Sequence, residues 1–249
     1  SHSKPKTAQK ASATTKKVAK QKKVVKLSKR AMNCHSQPHE HVDVRKAGVR
    51  IGQIALSQKF PQVTGTQVLP GTLETKPFST DADLSTGTAV VFTYPLDFTF
   101  TCPTELIDMS NNMARFKALN TKVFGLSTDS VFSHQVWMRQ PRKQGGIEGL
   151  EFPLVSDTSG DISATLGALM PTGFTCRATY ILHDGVLRHF SVNEPSVGRN
   201  SEEVIRMVEA IQYTTTHGEV CAAGFTAANK KAMKPTREGL LDFAEKNLV

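Results

Sequence analysis

From about residue 45 onward, two hydrophobic periods alternate along the chain. Thr88-Ala-Val-Val-Phe-Thr-Tyr94 is a continuous apolar run bounded by Gly87 and Pro95, the pattern of a strand buried on both faces. Leu106, Met109, Met113 and Phe116 then recur at helical spacing, and Lys122-Val-Phe-Gly-Leu-Ser127 reads as a second buried strand. Together these segments predict a βαβ unit of about 40 residues. Ala178-Thr-Tyr-Ile-Leu182 and Val186-Leu-Arg-His-Phe-Ser-Val192 flank His183-Asp184-Gly185, which predicts two strands joined by a tight turn. Asn200-x-x-Glu203 matches a capping box, and Val204, Met207, Val208 and Ile211 line one face of the helix it would open. Strands interleaved with helices predict an α/β fold with a mixed sheet. No stretch reaches the roughly 18 to 20 consecutive apolar residues that a membrane-spanning helix needs, and no internal repeat is visible.

Composition changes this picture at one end only. The 249 residues are 39% hydrophobic and 21% charged, with a formal net charge of +9. Residues 1–39 hold eleven of the 31 Lys and Arg and no acid, which leaves 20 basic against 22 acidic residues in the rest. The chain therefore reads as a nearly neutral globular protein with a basic arm. The arm, about residues 1–30, has few large apolar side chains and is expected to be disordered. It fits a solvating tail, a targeting segment that is acid-poor and Ser-rich, or a nuclear-localisation or nucleic-acid patch around Lys16–Lys29. Cys34, His35, His39 and His41 are crowded around Pro38 with no second cluster to complete a tetrahedral site, so this tract reads as a polar linker rather than a metal site. The four Cys, at 34, 102, 176 and 221, include no CxxC pair, which argues against a disulfide scaffold and against zinc ribbons. No phosphate-binding glycine motif follows a strand, and no cofactor is expected.

The segment richest in chemistry is Tyr94-Pro95-Leu-Asp-Phe-Thr99-Phe-Thr-Cys102-Pro103-Thr-Glu105. A buried strand ends at Pro95, a short loop follows, and Pro103 suits the first helical position. Cys102 is then expected to cap the helix, with free backbone N–H groups and the positive end of the helix dipole at its sulfur. Such surroundings lower a thiol pKa from about 8.5 into the range of roughly 3.5 to 7.5.

At these residues the chain resembles the peroxiredoxins, cysteine-based peroxidases of the thioredoxin fold. The resemblance rests on Pro95-x-x-x-Thr99-x-x-Cys102, Asp129-Ser-Val-Phe-Ser-His134-x-x-Trp137, Pro153-Leu-Val-Ser-Asp157, Val197-Gly-Arg199 and His217-Gly-Glu-Val-Cys221. It runs from about residue 46 to 240, and the later motifs are similar to the typical two-cysteine subgroup. It implies that Cys102 is the peroxidatic cysteine, that Thr99 hydrogen-bonds the peroxide, that Pro95 shields the sulfur, and that Arg177 stabilises the thiolate and polarises the peroxide. Glu105 is implied to orient the arginine. Cys221 is implied to be the resolving cysteine, forming an intersubunit disulfide that a thioredoxin-like dithiol protein reduces. Hydrogen peroxide and small alkyl hydroperoxides are the implied substrates, a homodimer the unit, and a decamer of five dimers the assembly, with Val131–His134 at the junction between dimers. Cys176 is expected to be a buried bystander.

The expected organisation is a basic arm and linker over 1–44, a thioredoxin-like peroxidase domain over 45–210 with a central mixed sheet flanked by helices, and a C-terminal arm over 211–249 carrying Cys221, with Gly218 and Gly224 making that segment exposed and mobile. The chain departs from overoxidation-sensitive members of the family at Gly145-Gly146-Ile147-Glu148 and Asp242-Phe243, and from the family's usual residues at Ala222 and Phe225. Loss of a Tyr ring at 242 is expected to loosen the C-terminal segment, speed resolution and reduce overoxidation. A holdase chaperone or redox relay is the alternative function, and nucleic-acid contact through residues 1–30 a further one. Turnover through a reducible disulfide fits a reducing interior, which makes the expected compartment cytoplasmic, with mitochondrial or nuclear placement as the alternative the basic arm offers.

Overall fold

The strand expected over Thr88–Tyr94 lies at the heart of the sheet, and its alternation explains the two layers of the fold. In the computed structural model, which describes residues 50–51 and 54–248, Val90, Phe92 and Tyr94 join one hydrophobic cluster while Ala89 and Val91 join the other. Successive strand side chains point to opposite faces, so a run apolar at every position is what a strand covered on both sides requires. The basic arm and the Cys34–His41 tract lie outside the described residues.

In chain order the elements are β1 (Arg50–Ile51), β2 (Ile54–Ala55), β3 (Thr64–Val68), β4 (Thr75–Ser79), α1 (Thr80–Asp83) and β5 (Thr88–Thr93). Then come α2 (Cys102–Asn111), α3 (Met113–Ala118), β6 (Thr121–Ser127), α4 (Val131–Arg139), a 3-10 turn (Arg142–Gln144), β7 (Leu154–Ser156) and α5 (Asp161–Thr165). The chain closes with β8 (Arg177–His183), β9 (Val186–Asn193), α6 (Ser201–His217), β10 (Val220–Cys221), β11 (Ala232–Met233) and α7 (Arg237–Asn247). Seven strands form one sheet in the order β4-β3-β7-β6-β5-β8-β9. β5 runs parallel to β6 and antiparallel to β8, so the sheet is mixed, as expected. Helices α2, α3, α4 and α6 supply the apolar side chains of one cluster; Ile54, Phe60, Leu84 and Ile162 help to close the other.

Several local expectations hold with refinements. The β8–β9 hairpin turns at Asp184 and Gly185, both at positive φ, the backbone a tight turn of this kind needs. The stripe Leu106, Met109, Met113, Phe116 is buried throughout, but the backbone breaks at Asn112. There the N–H bonds to Met109 O in the shorter i−3 pattern, and the side-chain amide spans Asp108 O and Ser201 Oγ. Asn200 does cap α6, yet its side chain accepts from the Glu202 N–H, so the cap forms on the second helical residue rather than as the expected box with Glu203. α6 runs unbroken across the 210/211 boundary expected between domain and arm. The arm beyond it is folded: β10 and β11 pair as a hairpin, Phe225 and Phe243 are buried, and Cys221 is half-buried.

The segment Gly145–Glu148 folds back on α4. Trp137 Nε1 donates to Gly145 O at 2.9 Å, Ile147 N to Trp137 O at 3.2 Å, and Ile147 is fully buried. A Cβ on Gly146 would stand 2.0 Å from Gln140 O. At Gly145 the space is open, but φ is +79°. Gly146→Ala is therefore expected to cost about 2–3 kcal/mol and Gly145→Ala only about 1. Urea unfolding of both variants checks that order, and equal costs would contradict the packing described.

Candidate active site

The loop from Tyr94 to Thr101 carries the chain from the end of β5 to the start of α2, and a buried polar cluster holds it. Tyr94 OH donates to Asp97 Oδ1 at 2.8 Å; Ser133 Oγ donates to Asp97 Oδ2 at 2.8 Å, and His134 Nδ1 lies 2.8 Å from the same oxygen. Asp97 N donates to Asp129 Oδ2 at 2.9 Å. Burial, reinforced by the neighbouring Asp97, raises the Asp129 carboxyl above its ordinary range. Phe98 is forced to φ +57°, a left-handed conformation costing a non-glycine residue about 1–3 kcal/mol. Its ring packs 5.8 Å from Trp137, the single tryptophan of the chain.

α2 begins at Cys102, with Thr101 as its cap residue and Pro103 in the first turn. The expected cap thus shifts by one residue. Thr101 already has helical dihedrals, and its carbonyl accepts from the Thr104 and Glu105 N–H groups. The sulfur of Cys102 receives no backbone hydrogen bond among the described residues. Its donor is Arg177 Nη1 at 3.5 Å.

That guanidinium is one of two clamped by Glu105. Cys102, Glu105 and Arg177 are 1%, 1% and 4% exposed, so an unpaired carboxylate here would be prohibitively costly. Glu105 Oε2 pairs with Arg177 Nη1, while Oε1 accepts from Arg199 N at 2.8 Å and lies 3.2 Å from Arg199 Nη1. That last nitrogen is within ion-pair distance but lacks hydrogen-bond alignment. Arg177 Nε is fixed to Pro195 O at 2.7 Å. Arg199 reaches Thr93 O at 2.8 Å and Thr179 Oγ1 at 3.2 Å, and its guanidinium lies over the Phe92 ring at 4.6 Å. Burial pushes Arg199 down to about 10, with Glu105 opposing and Arg177 adding to the shift, so it stays charged at neutral pH. Gly198 lets the backbone approach α2: a Cβ there would meet Thr101 Cγ2 at 3.1 Å.

The structure brings Cys102, Glu105 and Arg177 together. Pro95 and Thr99 lie half-buried in the same loop, and the Thr99 hydroxyl donates to Leu96 O at 2.9 Å. Cys221 stands apart, on β10 against α6, its Sγ 3.7 Å from Ala210 O. Cys102, Cys176 and Cys221 are all free thiols. Cys176 is half-buried and its thiol is raised by burial. Sequence spacing does not single out Arg199 as a site residue. The signal was present in Val197-Gly198-Arg199, where a glycine precedes a cation, but nothing in the spacing joined it to Glu105. The arrangement sets two positive charges and one negative charge beside a buried sulfur.

The profile of the AhpC/TSA family matches residues 56–190. Peroxiredoxin-4 of Rattus norvegicus is 38% identical over 82% of this chain and 74% of its own length. The mitochondrial thioredoxin-dependent peroxide reductase of Homo sapiens is 40% identical over 77% of this chain and 74% of its own. Among solved structures, the reduced 2-Cys peroxiredoxin of Plasmodium vivax superposes with a TM-score of 0.73 at 29% identity, covering 76% of this chain and 98% of that one.

Glu105→Ala leaves Arg177 and Arg199 buried without their counter-charge. It is expected to destabilise the fold by about 3–5 kcal/mol, read as a lowered urea midpoint at unchanged slope. A loss below about 1 kcal/mol would mean that the two guanidiniums do not depend on this carboxylate.

Proposed function

We propose, given that the chain belongs to the AhpC/TSA family and is a peroxiredoxin, a thiol-dependent peroxidase of the oxidoreductase class, that Cys102 is its peroxidatic cysteine and Cys221 its resolving cysteine. The observation that carries the reading is the 3.5 Å contact from Arg177 Nη1 to Cys102 Sγ, with Glu105 fixing the guanidinium from the first turn of the same helix. In the first step the Cys102 thiolate attacks one peroxide oxygen. The S–O bond forms as the O–O bond breaks, two electrons pass from sulfur to the peroxide, and the leaving oxygen takes a proton to depart as water or an alcohol. Cys102 is left as a sulfenic acid. Arg177 cannot deprotonate and presents several donors in a fixed plane, which suits the charge that builds on sulfur and leaving oxygen. Thr99 spends its own proton on Leu96 O, so its lone pairs remain to accept from a peroxide O–H. Pro95, with no N–H to offer water, walls the loop side. A sulfur on a residue only 1% exposed favours small substrates: hydrogen peroxide and compact alkyl hydroperoxides.

In the second step the Cys221 sulfur of a second copy attacks the sulfenic sulfur. The S–S bond forms, the S–O bond breaks, and hydroxide leaves as water with the thiol proton. A thioredoxin-like dithiol then reduces the disulfide by exchange, a reading supported by the name of the human relative. The unit is a homodimer, and the proposed assembly is five such dimers. Phe132 and Val136 are 73% and 56% exposed on α4, where a buried contact between dimers would account for them. β9 is the end strand of the sheet; its first residues bond to residues 57–59, and beyond Leu187 no strand pairs with its outer side among the described residues. The compartment proposed is a reducing interior, cytoplasmic or mitochondrial, the latter in keeping with the acid-free basic arm and the human relative.

One equivalent of hydrogen peroxide is expected to convert the reduced wild type to a disulfide-linked dimer on a non-reducing gel. Cys102→Ser and Cys221→Ser should both stay monomeric on that gel, and Cys221→Ser alone should yield a trapped sulfenic adduct at Cys102 by intact mass. A dimer that survives either substitution would overturn the assignment of the pair.

A further inference from the structure

The antiparallel ladder between β5 and β8 stops one step short of the active site. Its register sets Thr88 against His183 and runs to Phe92 against Thr179; the next step would set Thr93 against Ala178. That pair does not join through the main chain. Ala178 N donates instead to Thr93 Oγ1 at 3.0 Å, and the same hydroxyl donates to Cys176 O at 2.7 Å. The carbonyls of Thr93 and Ala178 both turn to Arg199 Nη2, at 2.8 and 3.2 Å. A threonine hydroxyl and a guanidinium nitrogen thus stand where ladder bonds would continue.

Arg177 lies between the two residues that this hydroxyl holds. Thr93 Oγ1 grips the carbonyl just before it and the N–H just after it. Thr93 is fully buried, so these two backbone groups depend on it for their partners. A threonine hydroxyl has one proton to give and lone pairs to receive, and both are used on one three-residue stretch of backbone. In β5 the side chains of Val90, Phe92 and Tyr94 go to the cluster that contains Cys102, and those of Ala89 and Val91 to the other. Alternation places Thr93 with Ala89 and Val91, on the face of the sheet away from the sulfur, where it touches no reacting atom. Thr175 adds a second side-chain tie between the same segments, its Oγ1 donating to Tyr94 O at 2.6 Å.

We propose that Thr93 is a positioning residue of the peroxidase reaction: by holding the backbone on both sides of Arg177, it fixes where the guanidinium meets Cys102. The inference rests on the reading of Arg177 as the group that assists Cys102 and adds what sets its place. The Arg177 side chain is tied at Nε to Pro195 O and at Nη1 to Glu105. Its root is the first residue of β8, paired with Asn193 of β9 on one side and held towards β5 by the Thr93 hydroxyl. With the hydroxyl gone, Ala178 N and Cys176 O lose their partners and the strand end is free to draw away from β5, taking the guanidinium with it. A misplacement of about 1 Å at a catalytic group lowers a rate by as much as about 100-fold.

The test measures the bimolecular rate of hydrogen peroxide with the reduced full chain, by rapid-quench mass spectrometry of Cys102. It compares wild type, Thr93→Val, Thr93→Ser, Arg177→Ala and the double variant of Thr93→Val with Arg177→Ala. Valine has the shape of threonine without its hydroxyl, and serine keeps the hydroxyl. Thr93→Val is expected to react about 10- to 100-fold slower than wild type, and Thr93→Ser to stay within about threefold of it. In the Arg177→Ala background the valine should cost less than about twofold more, because the residue it places is gone. If Thr93→Val does not fold, Thr93→Ala takes its place with the same slowing expected, since a water entering the gap satisfies the backbone without fixing the strands. A Thr93→Val protein at the wild-type rate, or one whose loss persists in full without Arg177, overturns the positioning role alone. Arg177→Ala at the wild-type rate overturns the underlying reading as well.

Discussion

A carboxylate buried between two guanidiniums organises this molecule. Glu105 is almost completely removed from water and has Arg177 on one oxygen and Arg199 on the other. Neither ion could be buried alone, because the desolvation of an unpaired charge exceeds what a folded domain can sustain. As a trio they leave one positive charge in excess, and the fold places Cys102 within 3.5 Å of it. The Cys102 sulfur, in contact with Arg177, is proposed to take up negative charge and give it away again. In the proposed reaction that excess charge has a double use: it favours the attacking thiolate and then meets the charge on the departing oxygen.

The trio also explains why the whole sheet is needed for so small a site. Glu105 and Cys102 come from the first turn of α2, Arg177 is the first residue of β8, and Arg199 lies just before α6. β5 and β8 are hydrogen-bonded neighbours, which brings the start of β8 beside the loop leaving β5. Pro195 O then accepts from Arg177 Nε and Thr93 O from Arg199 Nη2, which fixes both guanidiniums. The polar cluster of Tyr94, Asp97, His134 and Asp129 steers the connecting loop through a strained Phe98 and into α2. Each distance at the sulfur therefore depends on strand register and loop strain elsewhere.

Much of this was legible in residue patterns. A short, mostly apolar run bounded by Gly87 and Pro95 reads as a strand covered on both faces, and β5 is one. The Pro-flanked cysteine after a buried strand marked the start of a helix, and the structure moves the cap by a single residue. What stayed hidden depended on contacts between distant segments. Nothing in spacing alone pairs Glu105 with Arg199, 94 residues away in the chain, or shows that the sulfur's donor would be a side chain rather than the helix backbone. Gly218 and Gly224, whose spacing suggests mobility, have specific places: one ends α6 at φ +66° and the other's carbonyl accepts from Asn229 Nδ2. Glycine supplies a backbone angle, and only packing decides whether the segment moves. Residues 1–49, with the basic arm, lie outside what the structure describes.

The central claim is that Arg177 makes Cys102 a fast peroxidase sulfur. It is tested most directly by the bimolecular rate of peroxide with the reduced protein, wild type against Arg177→Ala, followed by stopped-flow fluorescence of Trp137, the only tryptophan and a neighbour of the Cys102 loop. Arg199 still neutralises Glu105 in the variant, so the fold is retained. The account predicts a loss of about 100- to 1,000-fold, the scale seen when one donor to a developing negative charge is removed. A variant that reacts with peroxide at the wild-type rate would contradict it.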